Sequence, residues 1–302
     1  MFTYLTGLTD MSGLETFDVS NAKELVCGFA SYLTSSPMTY TSLESLANWN
    51  TSNLEDIDHI FEINRTITTL DGLEKWDVSK VKDMSFAFNY LEKVDNLDAL
   101  SNWNTSSVEN MQATFLYTFG LLNIDGLANW DTSKVTDMSR AFRKSKSLTN
   151  LDALAKWDTS SVTDMSNMFY GMESLVDVSV LKDWNTSSVI NMSQIFRETI
   201  ALAFVEDLNW NTANVTDFSG IFRGDSHLRK VDLSNFDMSN ATSLGNFFYN
   251  CNILDSIKTP KAMPESGQIT LSIVDFYDED DNLYNKIDNS THKQIWIRVK
   301  DL

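Results

Sequence analysis

The sequence is poor in the residue types from which catalytic and metal sites are usually built. Of its 302 residues, only 2 are cysteine and 3 are histidine. His59, His227 and His292 each stand without a serine, cysteine or second histidine at a recurring catalytic or metal-binding spacing. The 11 glycines are not clustered into a phosphate-binding loop. We therefore expect no cofactor and no metal ion, and we expect that the protein is not an enzyme.

Basic residues are also few, with 23 lysines and arginines against 42 aspartates and glutamates, for a formal charge of −19. This charge repels nucleic acid and anionic membranes, so neither is an expected partner. A basic protein, a cation or a neutral glycan is compatible with it, and so is a simple role in solubility. No stretch reaches the ~18 apolar residues of a membrane helix. The N-terminus has no basic region and no long apolar run, so it is not a signal peptide. Because the sequence starts abruptly and close to a repeat, we expect a chain trimmed from a longer protein.

Aromatic residues, by contrast, recur at a fixed period. Seven tryptophans follow one another at intervals of 26 or 27 residues, and a phenylalanine extends the series at each end. We number these nine anchors as coils one to nine and count positions from the anchor. Position +12 is then always Phe, +1 always Asp or Asn, and +5 and +8 always apolar. The anchors are Phe17, Trp49, Trp76, Trp103, Trp130, Trp157, Trp184, Trp210 and Phe236.

Each unit has two parts with different apolar spacing. From +3 to +12 the apolar positions +5, +8 and +12 follow a helical period, and Ser at +3 suits an N-cap, which favours a short helix or 3₁₀ helix. The alternative for this segment is a short strand followed by a tight turn. From +18 to +24 only one side is apolar, which predicts one rung of a parallel sheet.

One unit cannot bury its own Trp, Met and Phe, so neighbouring units must stack. We predict an α/β solenoid over 17–257: a leucine-rich-repeat-like, right-handed stack of about nine repeats with a parallel β-sheet face. Residues 1–16 would be an N-terminal cap or degenerate repeat. Residues 258–302 would be a small β element that caps the stack or begins a further domain. Cys27 and Cys251 would then lie eight coils apart, roughly 40 Å at the spacing of parallel strands, beyond disulfide reach.

The segments WDTSKVTDMSRAF (130–142) and WDTSSVTDMSNMF (157–169) resemble a known bacterial surface-protein repeat of about 26 residues. That repeat occurs in lipoproteins and wall-anchored proteins of Listeria, mycoplasmas and lactic acid bacteria and is related to BspA-like leucine-rich repeats. The resemblance covers about 17–257 and departs from the family in the extra stretch SYLTSSPMTY (31–40). It implies an extracellular or surface-displayed solenoid that serves adhesion. The chain shows no lipid-attachment cysteine or wall-sorting motif that would indicate how it is attached.

Position +22 is the best candidate for a binding face. It lies between the inward positions +21 and +24 and should therefore face solvent, with its carboxylates in one row. Positions +19 and +20 beside it differ between coils, as expected for a solenoid that binds a protein or glycan. The alternatives are that the acids cap local turns, and that the protein is a spacer or coat without a ligand. The candidate residues are Asp71, Asp98, Asp125, Asp152, Glu206 and Asp232, with Asn96, Asn150 and Phe204 at +20.

Other conspicuous residues have structural interpretations. The acids and amides at +1 and +7 recur in nearly every coil, so we interpret them as turn residues rather than catalytic groups. The Trp series is interpreted as stacked core rather than a sugar platform. The run DEDDN (278–282) lacks the glycine and glutamate of a calcium loop and predicts an acidic hairpin turn. An enzyme would need a pocket that breaks the repeat, near 32–40 or in the C-terminal element.

Overall fold

The computed structural model describes residues 8–32, 38–271, 275–291 and 293–299. In this part of the chain, parallel bridges join position +7 of each coil to +7 of the next, which confirms the prediction of a repeat solenoid. Predictions for 1–7, 33–37, 272–274, 292 and 300–302, including the middle of the extra stretch, lie outside the described residues. The bridges join Glu24, Asp56, Asp83, Asn110, Asp137, Asp164, Asn191, Asp217 and Ser243 in succession.

The segment from +3 to +12 is not helical, so the helix predicted there is wrong and the alternative of a short strand and tight turns describes it. Its backbone amides at +8, +10, +12 and +14 donate to carbonyls of the next coil instead of to their own turn. An amide that donates sideways has no hydrogen left for an α-helical bond. In coil five these bonds run from Met138 to Asp164 (3.0 Å), Arg140 to Ser166 (2.9 Å), Phe142 to Met168 (3.0 Å) and Lys144 to Tyr170 (2.7 Å).

This sideways bonding is accompanied by two left-handed residues in each of coils two to nine and by one in coil one. At +10, φ lies between 51° and 61° in all nine coils, and at +14 it lies between 57° and 84° in coils two to nine. Most of these residues are not glycine; Arg140, Tyr117 and Glu198 are examples. A left-handed conformation costs a non-glycine residue ~1–2 kcal/mol. The hydrogen-bonded ladder must offset that cost in every coil.

The aromatic anchors form the centre of the core. The nine +12 phenylalanines stack in one column, with adjacent ring centroids 5.5–6.2 Å apart and interplanar angles of 5–22°. The seven anchor tryptophans are 2–4% exposed, which confirms that they are core, whereas Phe17 is 45% exposed. Each indole N–H donates to a carbonyl of an earlier coil, as Trp157 does to Leu127 O at 3.1 Å. The buried indoles therefore have no unsatisfied donor.

The acids at +1 and +7 act within turns, as interpreted. Asp131 at +1 accepts hydrogen bonds from the amide (3.0 Å) and hydroxyl (2.7 Å) of Ser133. These bonds, the one from the hydroxyl above all, hold the pKa of the Asp131 carboxyl below its usual value. Asp137 at +7 accepts from the Ser139 amide at 2.8 Å. Because the same bonds recur from coil to coil, these residues have a structural role in the repeat.

Positions +22 to +24 form a 3₁₀ helix in coils three to six and a turn in coil two, so the sheet rung predicted for +18 to +24 is wrong for these coils except for one parallel bridge, between Asn96 and Asn123. The α part of the α/β prediction is also wrong, since the described residues contain no α-helix and the fold is mostly strand, bridge and turn. No helix in this part of the chain is long and apolar enough to cross a membrane. The 3₁₀ helices are η1 Leu14–Thr16, η2 Glu44–Leu46, η3 Asp98–Leu100, η4 Asp125–Leu127, η5 Asp152–Leu154 and η6 Ser179–Leu181.

Strands replace the 3₁₀ helices only in the last three coils, as β1 Phe204–Val205, β2 Lys230–Asp232 and β3 Ser256–Lys258, which pair in parallel. The residue at +20 explains the change. Where it is Asn or Asp, its side chain accepts the amide of +22 and starts a tight turn; Asn123 accepts from Asp125 in this way at 2.6 Å. Phe, Lys and Ser occupy +20 in the strands, so the chain there stays extended.

A small β element follows the ninth coil, as predicted from the alternation near Ile297. Its last strand, β8 (Trp296–Val299), pairs antiparallel with β3 and with β5 (Phe276–Tyr277), so the last edge of the solenoid sheet is covered rather than exposed. β4 pairs with β7 in a separate two-stranded sheet, and β5 with β6 in a hairpin. The strands are β4 Ile269–Thr270, β5 Phe276–Tyr277, β6 Leu283–Tyr284, β7 Lys286–Ile287 and β8 Trp296–Val299.

Replacing one anchor indole tests the core. Trp157→Phe leaves the Leu127 carbonyl without its donor and opens a cavity, so we expect the free energy of unfolding to fall by about 2–4 kcal/mol. Urea unfolding followed by circular dichroism measures the change. Trp296→Phe, in β8 and outside the indole series, is the matched control and should cost less than about 1 kcal/mol. Equal effects of the two substitutions would contradict a stabilising role for the indole–carbonyl bond.

One buried acid destabilises the stack of coils. Asp225, fully buried at +15 of coil eight, accepts the Thr199 amide through Oδ1 at 2.8 Å, while its Oδ2 has no partner among the described residues. Burial raises the pKa of the Asp225 carboxyl well above its usual value. Since the folded state favours the protonated form, the stability this group contributes is present at low pH and is lost as pH rises through the raised pKa.

Neutralising this acid should therefore stabilise the protein in alkaline solution. We expect Asp225→Asn to raise the free energy of unfolding at pH 8 by about 1–3 kcal/mol and to leave it unchanged or lower at pH 4. Urea titrations across this range measure the effect. Asp183→Asn, at an exposed carboxylate of coil six, is the control and should show neither change. A variant less stable than the parent at pH 8 would contradict the assignment.

Candidate binding face

Four of the predicted carboxylates form a free acidic row. Asp71, Asp98, Asp125 and Asp152 are all exposed, and the last three are the first residues of η3, η4 and η5. No hydrogen bond or ion pair of their carboxylates occurs within the described residues. The row spans coils two to five at one register, with the roughly 4.8 Å spacing of hydrogen-bonded neighbours. We call these four residues the acidic row.

The amides at +20 have a local role that differs from the prediction. Asn96 and Asn150 are predicted contact residues, but their Oδ1 atoms accept the amides of Asp98 (3.1 Å) and Asp152 (3.3 Å). Asn96 also donates through Nδ2 to Asp95 at 2.8 Å. These bonds fix the turns that present the acidic row. Asn96 and Asn150 therefore position the carboxylates.

Towards the C-terminus, the acids at +22 are paired with lysines of the same chain. Lys230 lies 2.6 Å from a Glu206 carboxylate oxygen and Lys258 lies 3.1 Å from one of Asp232. Both ammonium groups also lie over the Trp296 ring, at 4.5 and 5.9 Å from its centroid. Glu206 and Asp232 are therefore not part of a free acidic face, contrary to the prediction.

Exposed apolar side chains accompany the acids. Phe204, a predicted site residue, is 53% exposed on β1. Leu122 and Val176, both at +19, are 59% and 58% exposed and were missed in the sequence. The sequence did contain a signal for them. Position +19 is mostly polar in the other coils and was predicted to face solvent, so apolar residues there stand out once the repeat is aligned. The face therefore combines carboxylates with scattered apolar contacts.

A polar cluster in coils one to three was also missed, because His59 looked isolated in the sequence. The His59 ring lies 2.6 Å from one Glu62 oxygen, which also accepts the Tyr32 hydroxyl at 2.6 Å, and Asn89 donates to the other oxygen at 2.7 Å. Burial raises the pKa of the Tyr32 hydroxyl. With its acceptors already used, Glu62 is tied into the structure. In the described part of the chain, no three His, Cys, Asp or Glu side chains are placed to hold a metal.

The C-terminal element carries the remaining acidic features. DEDDN forms the turn between β5 and β6, where Asp278 accepts hydrogen bonds from the Asn282 amide group (2.8 Å) and the Tyr284 hydroxyl (2.9 Å). The Asn282 bond is the main reason that the pKa of Asp278 lies below its usual value. A depression of about 580 Å³ beside it is lined by acids together with Tyr277 and Arg298. This turn matches the interpretation as an acidic hairpin.

Comparisons with known proteins place the chain in a family. No curated protein matches it. Among solved structures, an internalin of Listeria monocytogenes strain 4b F2365 matches with 14% identity over 68% of this chain and 71% of the internalin chain, at a TM-score of 0.18. That score is too low to carry an argument. The model of the family described as "Mycoplasma protein of unknown function, DUF285" matches 33–125, 117–203 and 176–260, as expected for tandem repeats. These segments span most of the chain, and the protein therefore belongs to this family.

Proposed function

We propose that the protein is a non-enzymatic binding module at a bacterial cell surface and that it recognises a host or matrix protein through the acidic row. The observation that carries the proposal is the set of four exposed, unpaired aspartates held at one register. Their mutual repulsion is unrelieved within the described chain. In coils seven and eight, the carboxylates at the same position, those of Glu206 and Asp232, are paired with Lys230 and Lys258. A partner with lysine or arginine side chains would do the same for the acidic row.

The apolar neighbours favour a protein partner over a single cation. Leu122 lies at +19 in the coil whose +22 residue is Asp125, and its side chain is 59% exposed. Protein interfaces combine such apolar contacts with charged groups at their rim. A bound metal ion would make no use of the apolar side chain. A glycan remains an alternative ligand, to be separated from a protein by the binding test below.

Surface display and an adhesin-like role rest on the resemblance to bacterial surface repeats, including its relation to BspA-like leucine-rich repeats. The repeat architecture of the chain supports both the surface display and the adhesin-like role. A solenoid keeps its buried positions uniform and varies its exposed ones, which produces an extended face for a large partner. A binding role of this kind requires no catalytic group.

The second candidate is a structural spacer or coat without a ligand. It is favoured by the continuity of the aromatic core, since a stack of nine phenylalanines with neighbours 5.5–6.2 Å apart suits a stiff rod. The structural roles of Asn96 and Asn150 also reduce the number of residues left for recognition. A broad array of matrix proteins and glycans without any binder would favour the spacer.

Charge reversal in the acidic row tests the proposal. We expect Asp98→Lys, Asp125→Lys and Asp152→Lys together to weaken binding to the matrix protein identified on the array by about tenfold or more, since three exposed charge pairs are lost. Surface plasmon resonance measures the affinity. Circular dichroism should show an unchanged fold, because these carboxylates make no bonds within the described chain.

The matched control reverses three exposed glutamates elsewhere, Glu109, Glu265 and Glu279, with the same change in net charge. It should leave the affinity within about twofold of the parent. If both triple variants weaken binding equally, net charge rather than the acidic row controls recognition. Unchanged binding by the acidic-row variant would remove this face from consideration.

A further inference from the structure

A strongly basic segment interrupts this acidic protein. The residues 140–146, RAFRKSK, carry four of the 23 basic side chains and no carboxylate. They fall at +10, +13, +14 and +16 of coil five, which is the turn region and not the part of the coil that carries the acidic row. All four side chains, those of Arg140, Arg143, Lys144 and Lys146, are partly exposed.

Neighbouring coils extend this basic region at +13. This position holds Arg143, Tyr170, Arg197, Arg223 and Tyr249 in coils five to nine. The buried Tyr170 ring lies between cations: Arg143 is 4.5 Å, Lys144 4.6 Å and Arg197 4.7 Å from its centroid. Arg223 lies 5.3 Å from the centroid of the exposed Tyr249. Cations and phenol rings thus line one side of the solenoid.

The cations around Tyr170 outnumber their counter-ions. Lys144 and Arg197 share one carboxylate, that of Glu198, at 2.9 and 3.1 Å. Lys144 reaches it across coil six only because Gly171 has no side chain; a Cβ there would lie 2.5 Å from Lys144 Cδ. Arg143 has no carboxylate partner in the described chain, and its buried Nε has no hydrogen-bond acceptor. A partly exposed guanidinium without a carboxylate partner, beside surplus positive charge, is a place where an external anion gains a charge-assisted hydrogen bond.

Partly exposed aromatic rings adjoin the cations on the N-terminal side. Tyr90 and Tyr117, at +14 of coils three and four, are stacked with centroids 4.3 Å apart. Phe119 packs against the edge of Tyr117 at 5.7 Å, and the Lys146 ammonium group lies 5.7 Å from the Phe119 centroid. The rings and the cations therefore form one continuous surface. We call it the cationic strip, and its cationic members are Arg140, Arg143, Lys144, Lys146, Arg197 and Arg223. Two carboxylates accompany these six cations, that of Glu198 and that of Glu173, which lies 2.7 Å from the Lys146 ammonium group.

We infer that the cationic strip binds a linear acidic polysaccharide, one with carboxylate or sulfate groups on its sugars. The arginines match these groups by bidentate hydrogen bonds, and the phenol and phenyl faces suit the C–H faces of the sugars. Arg143 and Arg197 stand two coils apart, roughly 10 Å, a wide spacing that suits charges on separate sugars. Duplex DNA carries a charge every ~1.7 Å, a far denser row than the roughly 10 Å separation of these arginines.

This site is independent of the acidic row, since it lies on another part of the coil and takes a ligand of opposite charge. The full chain should bind heparin, measured by isothermal titration calorimetry, with an affinity that falls as salt rises. Arg140→Gln, Arg143→Gln and Arg223→Gln together should weaken binding on the order of tenfold, since three partly exposed charge contacts are lost. None of these arginines has a carboxylate partner in the described chain, so the fold should persist, as circular dichroism would verify.

The control Lys134→Gln, Lys156→Gln and Lys182→Gln removes the same charge from exposed side chains outside the strip. It should change the heparin affinity by less than about twofold. Heparin should also protect Lys144 and Lys146, but not Lys134, from acetylation in the parent protein, a readout that needs no variant. Absence of heparin binding at low salt, equal losses in the two triple variants, or tighter binding of single-stranded oligothymidylate or phosphatidylserine vesicles than of heparin would overturn the inference.

Discussion

The hydrogen bonds from each coil to the next are the constraint on which the rest of the structure depends. Because the amides at +8, +10, +12 and +14 donate sideways, the chain between them must turn without helical bonds, and +10 and +14 take left-handed conformations. The turns then place +12 in the same inward direction in every coil, which is why the phenylalanines form one column. The indoles follow, since their N–H groups reach carbonyls only when consecutive coils keep a fixed offset.

The same constraint decides which residues are free to vary. Positions +1, +2, +5, +7, +8 and +12 are occupied by turn bonds or core contacts in coil after coil, and substitution there disturbs two neighbours as well. The side chains at +10, +13, +14, +16, +19 and +22 differ from coil to coil, with acids in some coils and arginines or aromatic rings in others. Both proposed binding surfaces lie at these positions, which is where a solenoid can acquire specificity without loss of stability.

The sequence predicted the repeat, the solenoid and the buried Phe and Trp, because large apolar residues at equal spacing can all be buried only if the units stack. The segment from +3 to +12 was predicted wrongly. Its apolar spacing of +5, +8 and +12 is also that of a helix, and a residue type such as that of Arg140 does not indicate a left-handed turn. The 3₁₀ helices were readable from Asn or Asp at +20. The exposure of Asp98 was also predictable, whereas the pairing of Glu206 with Lys230 required the register between coils.

Net charge is a poor guide to the partners of such an elongated molecule. The total of −19 argues against anionic ligands, yet the four acidic-row residues lie in coils two to five and the surplus arginines in coils five to eight. At physiological ionic strength, charges more than ~8 Å apart are largely screened, and two coils already span roughly 10 Å. The charge of the whole chain therefore slows the approach of a polyanion, but the few side chains that contact the polyanion decide whether it binds. Two ligands of opposite charge can then occupy one solenoid, because the frame separates the surfaces that would otherwise neutralise each other.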